Sequence, residues 1–148
     1  MWFDSSVLVA VYVNERFSDA SRRAVGRAGQ IPLTPVHELE IRTTFELLMG
    51  RRLISNAQRE AVVADFESDV RAHRLLPVKL DLDAAFVRAR ALSAAHAART
   101  LSRSLDLLHV AGAVERGCRR FVSADPRQLA VARAAGLRVT DITRARAR

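Results

Sequence analysis

Residues 104–142 read SLDLLHVAGAVERGCRRFVSADPRQLAVARAAGLRVTDI. Leu107, Val110 and Val114 recur at helical spacing until Gly117, a residue type that commonly closes a helix. The RRFVSA that follows predicts a strand. Next, DPRQLAVARAAG sets an Asp before a Pro and a Gln three residues on, the signature of a capped helix start, and ends at Gly136. LRVTDI predicts a second strand. A helix between two strands is the crossover that parallel pairing requires, so the stretch predicts an α/β fold built on a mainly parallel sheet.

Working outward, the same alternation extends to the rest of the chain. SDASRRAVGRAG (18–29) predicts a helix stopped by Gly29, QIPLT (30–34) a short strand, and PVHELEIRTTFELLMG (35–50) a helix with Pro35 in its first turn. In SNAQREAVVADFESDVRAH, Ser55 and Gln58 have capping-box spacing. LLPVKL (75–80) predicts a strand or extended link, and DAAFVRARALSAAHAAR (83–99) one long amphipathic helix. Residues 7–13, VLVAVYV, are ambiguous by propensity: the β-branched residues favour a strand, the need for a crossover favours a helix.

At 148 residues the chain fits a single domain, with 49% hydrophobic and 27% charged residues typical of a globular protein. The TRARAR end, about 143–148, reads as a basic tail that is frayed or partner-bound. The longest apolar run, Val7 to Val13, is too short to span a bilayer, and an acid precedes it where a signal peptide carries positive charge. Cys118 is the only cysteine, so no internal disulfide forms and the cytoplasm is the expected compartment. Its surroundings predict a small core residue rather than a nucleophile. The formal charge of +8 and pI near 11.3 predict a polyanionic partner. Nearly all the positive charge is arginine, Lys79 being the sole lysine; a GC-rich genome would also produce that bias.

Four acids stand where solvated acids are not expected. If Trp2 and Phe3 form a strand, Asp4 lies at its carboxyl end, and Asp125 follows RFVSA in the same way; ligands of open parallel sheets bind outside those ends. Asp125 also suits a plain helix cap. Helical projection puts Glu40 on a stripe with Val36, Thr43 and Leu47, and Glu38 on the polar side, paired with Arg42. Asp106 lies in the first turn after Ser104, at the margin of the Leu107, Val110 and Val114 face, with His109 one turn on. His37, His73 and His96 have no zinc-ligand spacing. Clustered carboxylates repel one another unless a cation neutralises them, and all-oxygen ligands favour Mg²⁺ or Mn²⁺. A basic surface around such a pocket suits phosphodiester chemistry.

These stretches, with DSSVLVAVYVNE (4–15), TPVHELEIRTTFELL (34–48) and RVTDI (138–142), resemble the PIN domain ribonucleases, in particular the VapC-type toxins of toxin-antitoxin pairs. Residues 51–99 are a less specific helical middle. The resemblance implies a three-layer α/β/α sandwich around a short-stranded parallel sheet, a helix directly after the first Asp, and a catalytic, metal-binding set that falls on Asp4, Glu40, Asp106 and Asp125, supported by the hydroxyls of Ser6 and Ser123. HELE offers two glutamates; a shift of two residues would move the role to Glu38. It further implies Mg²⁺- or Mn²⁺-dependent endonucleolytic cleavage of RNA, often transfer or ribosomal RNA, a cognate VapB-like antitoxin, and a homodimer. Two other readings remain: a catalytically inactive PIN-like module that binds RNA or regulates, and a phosphotransfer domain with an aspartyl nucleophile. DSS lacks the second acid the latter requires two residues after the first.

Overall fold

Helices alternate with short strands along the whole chain in the computed structural model, which describes residues 1–144. In chain order they are β1 (Trp2–Phe3), α1 (Ser5–Tyr12), α2 (Ser18–Gly26), β2 (Ile31–Leu33), α3 (Pro35–Gly50), α4 (Asn56–Arg71), β3 (Leu75–Pro77), α5 (Leu82–Leu92), a π-helical turn (Ser93–Ala97), α6 (Ala98–Thr100), α7 (Ser104–Glu115), β4 (Arg120–Ser123), α8 (Pro126–Ala134), β5 (Arg138–Asp141) and a closing 3-10 turn (Ile142–Arg144). The fold class is α/β, and every strand pairing among the described residues is parallel. The ladders divide in two rather than forming one continuous sheet: β1-β4-β5 and β2-β3.

The division matches two compact units, Met1–Asp4 with residues 79–144, and Ser5–Val78. In the three-stranded unit the central strand β4 pairs Phe121 with Trp2 and Val122 with Phe3 on one side, and Phe121 with Val139 on the other. Trp2, Phe3, Phe121 and Val122 are all at most 2% exposed. Helix α7 is buried from Leu107 through Ala113. Its Gly112 has a structural reason: a Cβ there would lie 2.9 Å from Cη2 of Trp2, so only a glycine lets the indole pass this close. The helix ends as its sequence predicts, with Gly117 at φ +64 and the Cys118 amide returning to the Ala113 carbonyl.

The two-stranded unit sets Ile31 opposite Leu75 and Leu33 opposite Pro77. Its core is an aromatic triad: Tyr12, Phe45 and Phe66 meet edge to face with ring centroids 5.9–6.4 Å apart. The Tyr12 hydroxyl donates to Asp69 at 2.8 Å, and burial together with this acid drives the phenol's pKa well above its ordinary value. The ambiguous segment after Asp4 is helix α1. Val7, Leu8, Val9 and Ala10 are each at most 4% exposed, and a helix covered around most of its circumference carries apolar residues at every position, erasing the periodicity that would announce it.

Several expectations need correction. Helix α2 ends at Gly26, three residues early, and Gly29 serves the turn beyond at φ +67. The single long helix expected over 83–99 is broken: α5 ends at Leu92, a π turn intervenes, and Leu101 follows in the left-handed region at φ 57. Helical periodicity carries no signal for a π insertion. Cys118 is half-buried rather than a core residue, because it sits in the turn between Gly117 and β4. Of the basic tail expected at 143–148, Thr143 and Arg144 belong to the 3-10 turn; the remainder lies outside the described residues.

Candidate functional site

The carboxyl end of the three-stranded sheet collects acids because two strands stop there at once. Asp4 follows β1 directly, its amide still in the ladder through the Val122 carbonyl at 2.9 Å. Half-buried, its Oδ1 accepts a 3.0 Å hydrogen bond from Nε2 of Gln128, a side chain 1% exposed. Asp125 follows β4 and caps α8: Oδ1 accepts from the Arg127 amide at 2.8 Å, while the Arg127 guanidinium grips both carboxylate oxygens at 3.2 and 2.8 Å. The fully buried Ser123 accepts a 3.0 Å hydrogen bond from the Asp125 amide. The Asp125 amide donates to Ser123, while the Gln128 side chain, three residues after Asp125, bonds to Asp4. In the sequence Gln128 fits a capping partner of Asp125; its place on the buried face of α8, with Leu129, Val131 and Ala132, is the signal of its other role.

Asp106 enters from α7. It lies three residues after Arg103, and its Oδ2 accepts from the Arg103 amide at 2.8 Å, a sound place for an acid at a helix start. Burial nevertheless pushes its carboxyl pKa up, opposed by that amide and reinforced by the negative charges of Asp125 and Asp4. Asp125 moves the other way, held below the usual carboxylate range first by its hydrogen bonds to Arg127. The Arg127 guanidinium is raised in return, chiefly by Asp125 and in smaller part by Asp106. These three acids therefore share one electrostatic environment.

Glu40 belongs to the two-stranded unit. Helix α3 starts at Pro35 behind Thr34, whose hydroxyl accepts from the His37 amide while the buried His37 ring returns a contact to Thr34. The buried face of α3 runs through His37, Ile41 and Phe45. The projected stripe through Val36, Thr43 and Leu47 is therefore not the core face: Thr43 is exposed and Leu47 is 49% exposed. The buried face is turned by about one residue from the projected stripe, toward His37. Glu40 still flanks the core, half-buried, and its Oε2 accepts a 2.8 Å hydrogen bond from the buried Ser5 hydroxyl. Both Ser5 and Ser6 follow Asp4 in the sequence, and it is Ser5 that is buried against Glu40, whereas Ser6, the hydroxyl expected to support the site, is exposed. Glu38 pairs with Arg42 at 3.1 Å on the exposed side, as expected.

His109 is buried in α7, where its Nδ1 accepts from the Trp2 indole at 3.3 Å, so it serves the core of the three-stranded unit. Among the described residues no three His, Cys, Asp or Glu side chains stand close enough together to hold a metal ion as they are. The chemistry of the donor set still fits a hard divalent cation: the donors are carboxylate oxygens, and a cation would offset the burial that raises Asp106 and the smaller repulsion from Asp125 and Asp4.

Parallel strands with acids at their carboxyl ends define an α/β protein whose site faces outward from the strand termini. The family model of the PIN domain matches residues 1–134, and the chain belongs to that family, whose members are generally nucleases. The match runs through both units. Among solved structures, FitAcB from Neisseria gonorrhoeae is similar at a TM-score of 0.69 and 15% identity, over 97% of this chain and 98% of that one. VapBC2 from Rickettsia felis, bound to a DNA fragment from its promoter, is similar at 0.64 and 12% identity, over 95% and 96%. Both likenesses are of fold. No curated protein matches in sequence. No helix among the described residues is long and apolar enough to cross a membrane.

Proposed function

We propose that the chain is a metal-dependent endoribonuclease, the toxin of a VapBC-type toxin-antitoxin pair, acting in the cytoplasm on transfer or ribosomal RNA. The observation that carries this reading is the shared environment of Asp4, Asp106 and Asp125, in which burial and like charge raise one carboxyl while an arginine holds another down. One of the solved similar folds is named VapBC2, which supports a VapB-like antitoxin as partner; a homodimer is the working form in this reading.

In this reading Asp4, Glu40, Asp106 and Asp125 would hold Mg²⁺ or Mn²⁺. When bound, such an ion acidifies water and stabilises charge on a phosphodiester under attack. The chain's own residues prepare the acids: Gln128 fixes the rotamer of Asp4, Ser5 that of Glu40, and Ser123 anchors the backbone from which Asp125 projects. Ser6, two residues after Asp4 in the sequence, would supply a further hydroxyl. The Arg127 guanidinium keeps Asp125 ionised and is a forked donor suited to a phosphate oxygen pair.

The test is incubation of structured RNA with the purified chain in Mg²⁺, in Mn²⁺ and in EDTA, beside an Asp4→Asn variant. Cutting in either metal that is lost in EDTA and in the variant supports the nuclease. Binding with no metal-dependent cutting would instead identify an inactive RNA-binding module.

A further inference from the structure

The three-stranded unit is polarised along its strands. Acids gather at the carboxyl ends, whereas β4 is entered through Arg119 and Arg120 and β5 through Arg138. The ladder sets Arg120 directly opposite Arg138, and the Arg138 amide donates to the Arg119 carbonyl at 3.0 Å. All three residues are exposed, and among the described residues no acid lies within ion-pairing distance of any of them. Like charges directly opposite one another destabilise a strand pair. Neighbouring arginines have a local reason to be where they are: Arg116 caps α7 and Arg133 lies in the last turn of α8, places where a helix favours a cation. The three strand arginines lack that reason.

We propose that Arg119, Arg120 and Arg138 form a second RNA-binding site at the amino end of the sheet, gripping phosphates away from the acids. The two ends are separated by the length of β4, roughly 10 Å for three residue steps. Planar guanidinium forks are suited to backbone phosphates, and the surplus of positive charge draws a polyanion to them. The consequence concerns substrate class: an RNA that runs over the surface from the acid end to this patch gains phosphate contacts that a short fragment held at the acids lacks. The identity of the polyanion as RNA rests on the nuclease reading above.

The experiment measures binding of a transfer RNA in EDTA across a salt series, with variants of the full chain. Replacing Arg119, Arg120 and Arg138 by Gln should weaken binding about 10-fold or more near physiological salt and make the log-log salt slope shallower by roughly 2–3. Replacing them by Lys should restore most of the slope, which separates charge from misfolding, and Arg120→Gln alone should cost a slope change of about 1. Replacing Arg23, Arg27 and Arg90 by Gln removes the same charge elsewhere and should change little. Equal losses in both triple variants, an unchanged slope, or tighter binding of duplex DNA than of RNA would each overturn the proposal. Metal-dependent cutting of a tetranucleotide should survive in the Gln triple. If wild-type chain binds transfer RNA through the patch yet cuts no structured RNA in Mg²⁺ or in Mn²⁺, the nuclease reading fails and the binding site stands.

Discussion

Helices α7 and α8 each bring an aspartate to the carboxyl end of the same sheet, by the same local device of an acid at a helix start, and the two carboxyls end in opposite states. Asp106 accepts from the Arg103 amide, but burial outweighs that hydrogen bond and the charges of Asp125 and Asp4 add to it, so its proton is held more tightly. Asp125 has an arginine two residues on, and that guanidinium overrides its burial. Helix-start geometry alone therefore does not determine what an acid does. The difference is one side chain, Arg127, and it assigns the two acids distinct roles: Asp106 is poised to gain from an added cation, whereas Asp125 already has one.

The largest effect should come from the unneutralised acid. Asp106→Asn is expected to lower the RNA cleavage rate by on the order of 10²-fold or more, measured with saturating Mg²⁺, since loss even of residues supporting a metal ligand typically costs 10–100-fold. A variant that keeps wild-type activity would break the contrast at its stronger end. The same logic separates the glutamates of α3. Glu40→Gln, at the acid tied to Ser5, should reduce cleavage comparably, while Glu38→Gln breaks only an exposed pair with Arg42 worth a few tenths of a kcal/mol and should leave most activity. The opposite order would reassign the site to Glu38.

How far the sequence reveals this arrangement differs between regions for physical reasons. Residues 104–142 are legible because their element ends are marked: Gly117 closes α7 although that helix is buried from Leu107 through Ala113, and an Asp-Pro start and Gly136 bracket the half-covered α8. Helix α1 is illegible from its own residues because it is buried nearly all round, and only family likeness identified it as a helix. Asp4, Asp106 and Asp125 are identifiable because strand ends and helix starts are written locally. Gln128 and Ser5 are not, because each acts through one hydrogen bond to a residue whose position depends on tertiary packing, 124 and 35 positions away. Glu40 is favoured by a projection and by the family likeness of EIRTTF; the projected stripe is not the buried face, which runs through His37, Ile41 and Phe45, yet Glu40 flanks that face and is half-buried all the same.

Arg127 itself is the next way to sharpen the contrast. In Arg127→Gln the Asp125 carboxylate loses its built-in counter-ion, so an added cation faces no competitor there. Mg²⁺ binding by calorimetry should tighten several-fold, as expected for losing a part-exposed pair worth about 1 kcal/mol or less. Weaker binding would mean that the guanidinium organises Asp125 for the ion rather than competing with it.

The smallest effect is also the most direct, because it needs neither RNA nor metal. For Asp106 the folded pKa lies above the unfolded one, so the native state binds the proton more tightly and stability falls as pH rises past the ordinary carboxylate range. For Asp125 the folded pKa lies below the unfolded one; its stabilisation is present at neutral pH and is lost as acid titrates through that depressed value. Asparagine keeps both backbone caps, so substitution isolates the charge. In EDTA at pH 7, Asp106→Asn should therefore raise Tm and Asp125→Asn should lower it, each by about 1–3 °C for a chain of this size. Repeated near pH 3, both differences should shrink, since the carboxyls are then largely protonated in the unfolded chain. Shifts of the same sign at pH 7 would show that the two helix starts are electrostatically alike after all, and that the Arg127 pair does not carry the distinction between them.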